Sequence, residues 1–282
     1  DLFDLQEKIQ IMDVGASAIA EIPVYKKLIE IGLGKLNAFE GDQRHLKKLK
    51  EEYGDNITLF TDFLFDGTIQ NLYLANPNSG MTSLLQPKEK AVNFFNGFDR
   101  FSKIEKVETV NTKKLNDVTN LPKIDFVKMD IQGSELTVLK NGLDKIKDCL
   151  AIQIEVSFIC LYESQPSFGE IDLWMRSNGY VPHCFLDVKK WSIAPTIFNN
   201  NFRTPGNQLL ESDIVYIKDP LQLYHLSDDQ IKKFILISHY CFKSIDLTAF
   251  LIIELEKRKI LSKDSFKKYI NNVKKFVNEN PK

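Results

Sequence analysis

Residues 9–60 read IQIMDVGASAIAEIPVYKKLIEIGLGKLNAFEGDQRHLKKLKEEYGDNITLF. Ile9 to Val14 is a short apolar run ending in Asp13, Val14 and Gly15, the form of a buried strand that turns into a loop. Pro23 then opens a helix over Val24 to Gly32, with proline in the favoured first turn and glycine at the end. Lys35 to Glu40 (KLNAFE) is a second strand, Gln43 to Tyr53 a charged amphipathic helix, and Asn56 to Phe60 (NITLF) a third strand. Strand, helix, strand, helix, strand in so short a span is the sequence form of a parallel sheet covered by helices.

Outward from that block, Thr61 to Asn120 follows a different pattern. Thr68 to Ala75 alternates like an exposed strand, and Asn76 to Ser83 (NPNSGMTS) is all turn chemistry. We read this stretch as an insertion carrying a hairpin and a loop rich in Phe94, Phe95, Phe98 and Phe101, which either closes over a site or packs on itself. Ile124 to Met129 (IDFVKM) resumes the sheet and ends in Asp130, with a helix starting near Gly133. Leu150 to Phe158 is the next strand, Ile171 to Ser177 lies in a helix, and Tyr180 to Val188 and Ser212 to Ile217 close the sheet. The expected fold is α/β and Rossmann-like, with five to seven mostly parallel strands and helices on both faces. After Pro220 the apolar spacing is helical only, over Asp228 to Phe242, Ile245 to Lys257 and Lys263 to Asn278. The expected division is therefore a sheet domain over 1–218 and a helical appendage over 219–282.

Composition fits one large domain or slightly more: of 282 residues, 43% are apolar, enough to bury a sizeable core. Lys and Arg number 37 against 38 Asp and Glu, which argues against a dedicated nucleic-acid binder. The balance is uneven along the chain. Lys257 to Lys282 holds nine basic and two acidic residues, a net +7 that leaves the preceding 256 residues at −8. A solvated helix face explains the basic tail most simply; an acidic partner or an anionic membrane surface is the other reading. Cys149, Cys160, Cys184 and Cys241 form no CxxC pair and no short Cys/His spacing, so neither a zinc site nor a disulfide framework is expected. No apolar run approaches the ~20 residues needed to span a bilayer, and the start at Asp1, Asp4 and Glu7 lacks a basic leader. The expectation is a soluble cytoplasmic protein with reduced thiols and no transmembrane segment.

In an open parallel α/β sheet, ligands bind at the carboxyl ends of the strands, where strand order reverses. Three strand ends here are acidic: Asp13, Glu40 and Asp130. Gly15 lets a ligand approach backbone N–H groups without meeting a Cβ, and Glu40 can accept hydrogen bonds from the hydroxyls of a ribose. Each alone has a plainer reading, a turn glycine and a solvated glutamate. Together they describe an adenosine site. Asp13 to Glu21 (DVGASAIAE) has one glycine where a dinucleotide fold needs GxGxxG, and no GxxxxGK[ST] loop occurs. A ligand without phosphates fits better: S-adenosylmethionine, with Gly15 to Ser17 facing its amino-acid end.

DVGASAIAEIPVY (13–25), AFEGD (38–42), FLFDGTIQNLYLANPNSGMTSLLQP (63–87), DFVKMDIQGSELTVLKNG (125–142), IEVSFICLYESQPSFGEID (154–172) and NQLLESDIVYI (207–217) resemble the FkbM-type S-adenosylmethionine-dependent methyltransferase family. The blocks stand in the family's order. The resemblance implies a seven-stranded class I methyltransferase sheet whose last strand is antiparallel, and S-adenosylmethionine as cofactor. Carried over residue by residue, Gly15 and Ala16 approach the methionine end, Glu40 the ribose, Asp62 and Phe63 the adenine, and Asp130 the transferable methyl group. Gly41 departs from the family, which often has proline after the glutamate; a looser turn is the expected consequence.

If the methyl acceptor is an alcohol, its proton needs a base within hydrogen-bond reach. Asp130, Glu155 and His183 are the candidates. Each has a structural alternative: Asp130 as a helix N-cap, Glu155 as a buried carboxylate with a partner, and His183 as a surface or packing histidine. Glu135 suits the first turn of a helix, and Tyr162 to Pro166 can line an acceptor pocket. No metal-ligand spacing is present. The expected function is O-methylation of a hydroxyl on a sugar, glycan or small secondary metabolite. The alternatives are a non-catalytic module of the same fold that docks glycan-assembly enzymes and, behind it, a dehydrogenase without its glycine fingerprint.

Overall fold

The computed structural model of the chain describes residues 5–16 and 22–279. They fall into two compact units, one of Gln10–Glu21 and Leu36–Asp219, the other of Asp1–Ile9, Ile22–Lys35 and Pro220–Lys282. The chain enters β1 (Ile9–Val14), passes through a short α1 (Lys26–Glu30) and continues through β2 (Gly34–Phe39), α2 (Gln43–Tyr53) and β3 (Ile57–Phe60). Helix α1 is shorter than its apolar pattern: the chain becomes helical only after Tyr25.

Residues 61–120 fold as the insertion. It contains β4 (Phe63–Leu64), β5 (Ile69–Ala75), α3 (Glu89–Phe94) and β6 (Ile104–Lys113), with β6 in the middle of a separate three-stranded sheet. Strands β5 and β6 are antiparallel, from Ile69 opposite Asn111 to Ala75 opposite Ile104, so the hairpin is closed by a long excursion rather than a tight turn. The aromatic loop is packed core. Phe95 and Phe98 are buried, and Phe98 meets Trp191 edge-on at 5.3 Å.

The chain then forms β7 (Phe126–Met129), α4 (Glu135–Lys140), α5 (Leu143–Ile146), β8 (Ala151–Ser157), α6 (Phe168–Ser177) and β9 (Tyr180–Leu186). A small ribbon of β10 (Lys190–Trp191) and β11 (Gln208–Leu209) precedes β12 (Glu211–Lys218). The large sheet has seven strands in the order β3-β2-β1-β7-β8-β12-β9. Strand β12 runs antiparallel to both neighbours, and β2–β3, β1–β7 and β7–β8 pair in parallel. This is the Rossmann-like sheet expected from the sequence, with its reversed strand inserted between β8 and β9. On one face Met12, Val14, Phe39, Val127, Met129, Ile152, Ile154 and Ile214 pack against Leu136, Val138 and Leu139 of α4 and Ile171 and Met175 of α6. Each such side chain, fully buried, stabilises the fold by about 1.5–3 kcal/mol relative to exposure. Helix α6 begins with a reciprocal cap between Ser167 and Glu170.

The other unit ends in α7 (Asp228–Tyr240), α8 (Ile245–Lys257) and α9 (Ser265–Glu279). Arg258 ties its chain together, donating to the carbonyls of Leu223 and Leu226 and to Asp228 and Glu254. On α9 the basic residues Lys267, Lys268, Lys274 and Lys275 are exposed. Among the described residues no helix is long and apolar enough to cross a membrane.

Candidate active site

The strand order reverses between β1 and β7, and the candidate residues gather there. Gly15 follows β1 with φ +81°, and a Cβ on it would stand 2.0 Å from the Asp130 carbonyl oxygen. Only glycine lets the end of β1 pass this close to the end of β7. The N–H groups of Gly15 and Ala16 both donate to the Phe39 carbonyl, at 3.0 and 3.3 Å, and the Asp130 N–H donates to Val14 at 3.0 Å. The sequence reading offers the Gly15 amide to a ligand; the structure commits it to β2. What the glycine supplies is the close approach of three strand ends. Ser17 lies outside the described residues.

Glu40 stands at the tip of β2, 7% exposed. Its own N–H donates to Phe60, and its Oε1 accepts the Asp42 N–H at 2.7 Å. Among the described residues Oε2 accepts no hydrogen bond. Burial pushes the Glu40 carboxyl up to about 7, against the Asp42 N–H and with help from the charges of Asp42 and Asp13. Asp42 itself caps α2 by accepting the Arg44 N–H. Despite burial, the Arg44 guanidinium holds its carboxyl below the ordinary value.

Gly41 is the seat of an aromatic ring rather than a loosened turn. A Cβ there would lie 2.4 Å from the Phe63 ring, so Phe63 rests directly on the turn after Glu40. Asp62, before it, has Oδ1 3.3 Å from the Lys113 ammonium of β6.

Asp130 and Glu155 are joined by one side chain. The Gln132 amide nitrogen donates to Asp130 Oδ1 at 2.9 Å and to Glu155 Oε2 at 2.7 Å. Gln132 Oε1 accepts the Tyr162 hydroxyl at 2.7 Å, and Gln165 pins the Tyr162 segment by accepting the N–H groups of Leu161 and Tyr162. Burial raises the Glu155 carboxyl well above its usual range, reinforced by Asp130, Glu211 and Glu135 and opposed by Lys189. Glu135 is structural in its contacts: its Oε1 accepts the N–H groups of Ile131 and Gly133, and burial lifts it to about 7 despite them.

Asp13 is 2% exposed and faces Lys128 at 3.9 Å; Lys128 is also 3.9 Å from Asp130 Oδ2. Burial pulls the Lys128 ammonium down, but Asp13, Asp130, Asp213 and Glu155 more than reverse this and keep it charged. His183 is not brought to this group. It sits within β9, which β12 separates from β8, about 10 Å across two strand spacings from the strand of Glu155. No cluster of three or more His, Cys, Asp or Glu among the described residues could hold a metal ion. Gln132 and Lys128 were not candidates from the sequence. The available signal was Gln132 itself, a long polar residue between Asp130 and Gly133 at a strand end.

The sequence profile of the Methyltransferase FkbM domain matches residues 13–182, more than half of the chain. This chain belongs to the FkbM methyltransferase family. Its match spans every candidate residue above except His183. In a direct comparison no curated protein sequence matches significantly. Among solved structures, the FkbM chain is similar to the magnesium protoporphyrin IX methyltransferase of Synechocystis PCC 6803, solved with bound SAM. That match has 10% identity and a TM-score of 0.37 over 76% of this chain and 71% of that one. It is also similar to the fibrillarin pre-rRNA processing protein of Methanococcus jannaschii, with 15% identity and a TM-score of 0.37 over 77% and 70% of the two chains. Those likenesses are too distant to carry substrates or residue roles to this chain.

Proposed function

We propose that the chain is an S-adenosylmethionine-dependent O-methyltransferase whose acceptor is a hydroxyl of a sugar, glycan or small secondary metabolite. The observation that carries this reading is the pairing of two strand-end stations beside the sheet's reversal point. Glu40 has a carboxylate oxygen to offer a ribose, and Asp130 with Glu155 offers a base to an alcohol. The residues fit the cofactor's chemistry. Glu40 Oε2 is unclaimed by protein donors among the described residues, the Phe63 ring flanks the same turn, and the surrounding acids suit a cation. In the proposed arrangement Glu40 holds the ribose, Phe63 and Asp62 flank the adenine, and Gly15 and Ala16 border the methionine end.

When bound, S-adenosylmethionine supplies an electrophilic methyl carbon, and the protein's task is alignment and proton removal. Asp130, half-exposed at the end of β7, would take the acceptor's hydroxyl proton, freeing that oxygen for the methyl group that the sulfonium sulfur gives up as it becomes a neutral thioether. Glu155, driven toward its neutral form by burial, stands beside it as the second carboxyl of the pair.

Calorimetry with S-adenosylmethionine tests the reading. The wild-type chain is expected to bind, and Glu40→Ala to bind at least tenfold more weakly, the order of one charge-assisted hydrogen bond. Absence of binding at millimolar ligand overturns the enzyme reading and leaves the docking module. Asp130→Asn is expected to retain cofactor and lose methyl transfer to a panel of sugar hydroxyls; full transfer in that variant removes Asp130 from the mechanism.

A further inference from the structure

Gln132 occupies a backbone conformation that disfavours it. Its φ is +56°, in the left-handed region where glycine is at ease and a long side chain is not. Glycine follows it immediately, so the turn has the residue it needs next door, yet position 132 carries an amide. That amide is fully used: both carboxylates on its nitrogen, and the Tyr162 hydroxyl on its oxygen. The Ser83 hydroxyl fixes its backbone by donating to the Gln132 carbonyl at 2.8 Å. Tyr162 is buried, and burial raises its hydroxyl well above the ordinary phenol range, so it stays a donor. A donor at Oε1 settles which end of the amide faces the acids, and both carboxylates therefore receive N–H groups.

Resting on the function proposed above, we propose that Gln132 is the positioning residue of the transfer centre, holding Asp130 and Glu155 at one amide nitrogen, with Tyr162 as the lock on its orientation. Two carboxylates at the ends of adjacent strands repel each other, and a shared donor offsets that repulsion while fixing both rotamers. An amide cannot relay a proton at ordinary pH. Gln132 therefore keeps the pair in place and, by donating to Glu155, favours that carboxyl's ionised form without joining the proton transfer. The charged and titratable groups facing Glu155 are Asp130 and Lys128 from β7, Glu211 and Asp213 from β12, Glu135 from α4, and Lys189 and Tyr162 from the loops. Of these groups, Asp130 and Tyr162 are hydrogen-bonded to Gln132, so a change at position 132 acts on them and on Glu155 together.

The test is a carbon-13 carboxyl titration of the full chain labelled at glutamate, with Glu155→Gln to assign the resonance, run without ligand. Gln132→Gly relieves the backbone and removes the amide. Its Glu155 midpoint is expected to move up by about 1 on the pH scale, the loss of one charge-assisted donor, while thermal stability is kept. Gln132→Asn keeps an amide and tolerates the left-handed backbone but is one methylene too short to span both acids; it is expected to follow the glycine variant. Tyr162→Phe is expected to move the midpoint in the same direction by less. A wild-type midpoint in Gln132→Gly, or a wild-type midpoint in Gln132→Asn, overturns the proposal. Because the titration needs neither cofactor nor acceptor, its failure is separate from a failure of S-adenosylmethionine to bind the wild-type chain, which would defeat the proposed function instead.

Discussion

Gly15→Ala tests whether the meeting of strand ends depends on one missing methyl group. Two costs can be worked out. At φ +81° an L residue is strained by about 1–2 kcal/mol. The new Cβ would also sit 2.0 Å from the Asp130 carbonyl oxygen and 3.0 Å from both the Asp130 carbonyl carbon and Ile131 Cγ2. The first of these is short of ordinary contact by about 1.4 Å. It opposes backbone, not the far end of a side chain, so β1 and β7 must part. Parting them strains the Asp130 N–H bond to Val14, at about 1 kcal/mol, and the packing around it. The expected total is about 3–5 kcal/mol, a large share of the stability of an ordinary domain. Gly80→Ala is the control. Gly80 has φ +73°, lies in the same unit and has nothing within 4 Å of a built Cβ, so only the conformational part, about 1–2 kcal/mol, applies. Both tryptophans, Trp174 and Trp191, belong to that unit, so urea unfolding followed by their fluorescence reports on it. If Gly15→Ala falls within about 0.5 kcal/mol of Gly80→Ala, within the spread of ordinary surface substitutions, the steric argument is refuted.

Glu40 in its ionised form is what a ribose needs, and burial places its titration at about 7. Cofactor affinity is therefore expected to rise roughly tenfold from pH 6 to pH 8 by calorimetry, and to lose that dependence in Glu40→Ala; the same slope in the variant would assign it to another group. Because the folded value lies above the unfolded one, Glu40 contributes to stability below about 4.5 and loses that contribution as pH rises through about 7, a trend Glu40→Gln is expected to flatten in urea titrations. Gly41→Ala drives a Cβ into the Phe63 ring, so a double-mutant cycle with Phe63→Ala is expected to show coupling of about 1 kcal/mol, and strictly additive losses would disprove the contact. In the helical unit, Arg258→Met removes donors to two carbonyls and two carboxylates and is expected to destabilise the unit by about 2–3 kcal/mol. Circular dichroism follows the loss, and Arg258→Lys, without the planar fork, should rescue little of it.

The elements most legible in the sequence are those whose signal is local. Strand β1, helix α2 and helix α8 fall on the residues their patterns mark, because apolar spacing and flanking turn residues settle them without a distant partner. Strand β6 escaped because its alternation is mostly polar, with Val107 half exposed, and it is held by β5 across the whole excursion of residues 76–103. Glu40 and Asp130 were legible as acids at strand ends. Gln132 was not, because a neutral amide has no titration signature and its partners Glu155 and Tyr162 are 23 and 30 residues away. His183 drew notice by residue type. Its strand precedes β12 in the chain but lies beyond it in the sheet, and the insertion of a reversed strand is invisible to a reading that takes strands in order.

The same register shows why the strand ends are acidic. Asp13 lies opposite Lys128, Lys128 opposite Gln153, and Glu155 opposite Asp213, so polar residues continue across one face of a sheet whose interior positions are ordinarily Val or Ile. One ammonium cannot neutralise four carboxylates. Burial answers part of the excess by pushing Asp213 up to about 6 and Glu155 above its usual range, which shifts both toward the neutral form. Asp13 stays committed to Lys128, and the amide of Gln132 spans Asp130 and Glu155. A group of this kind is unfavourable for folding when it stands alone, because each buried charge loses hydration that its partners only partly replace. It becomes favourable when a cation is held against it. That is the electrostatic sense in which the proposed sulfonium cofactor belongs at these strand ends, and the reason a cofactor's charge, beyond its adenosine, should count toward its affinity here.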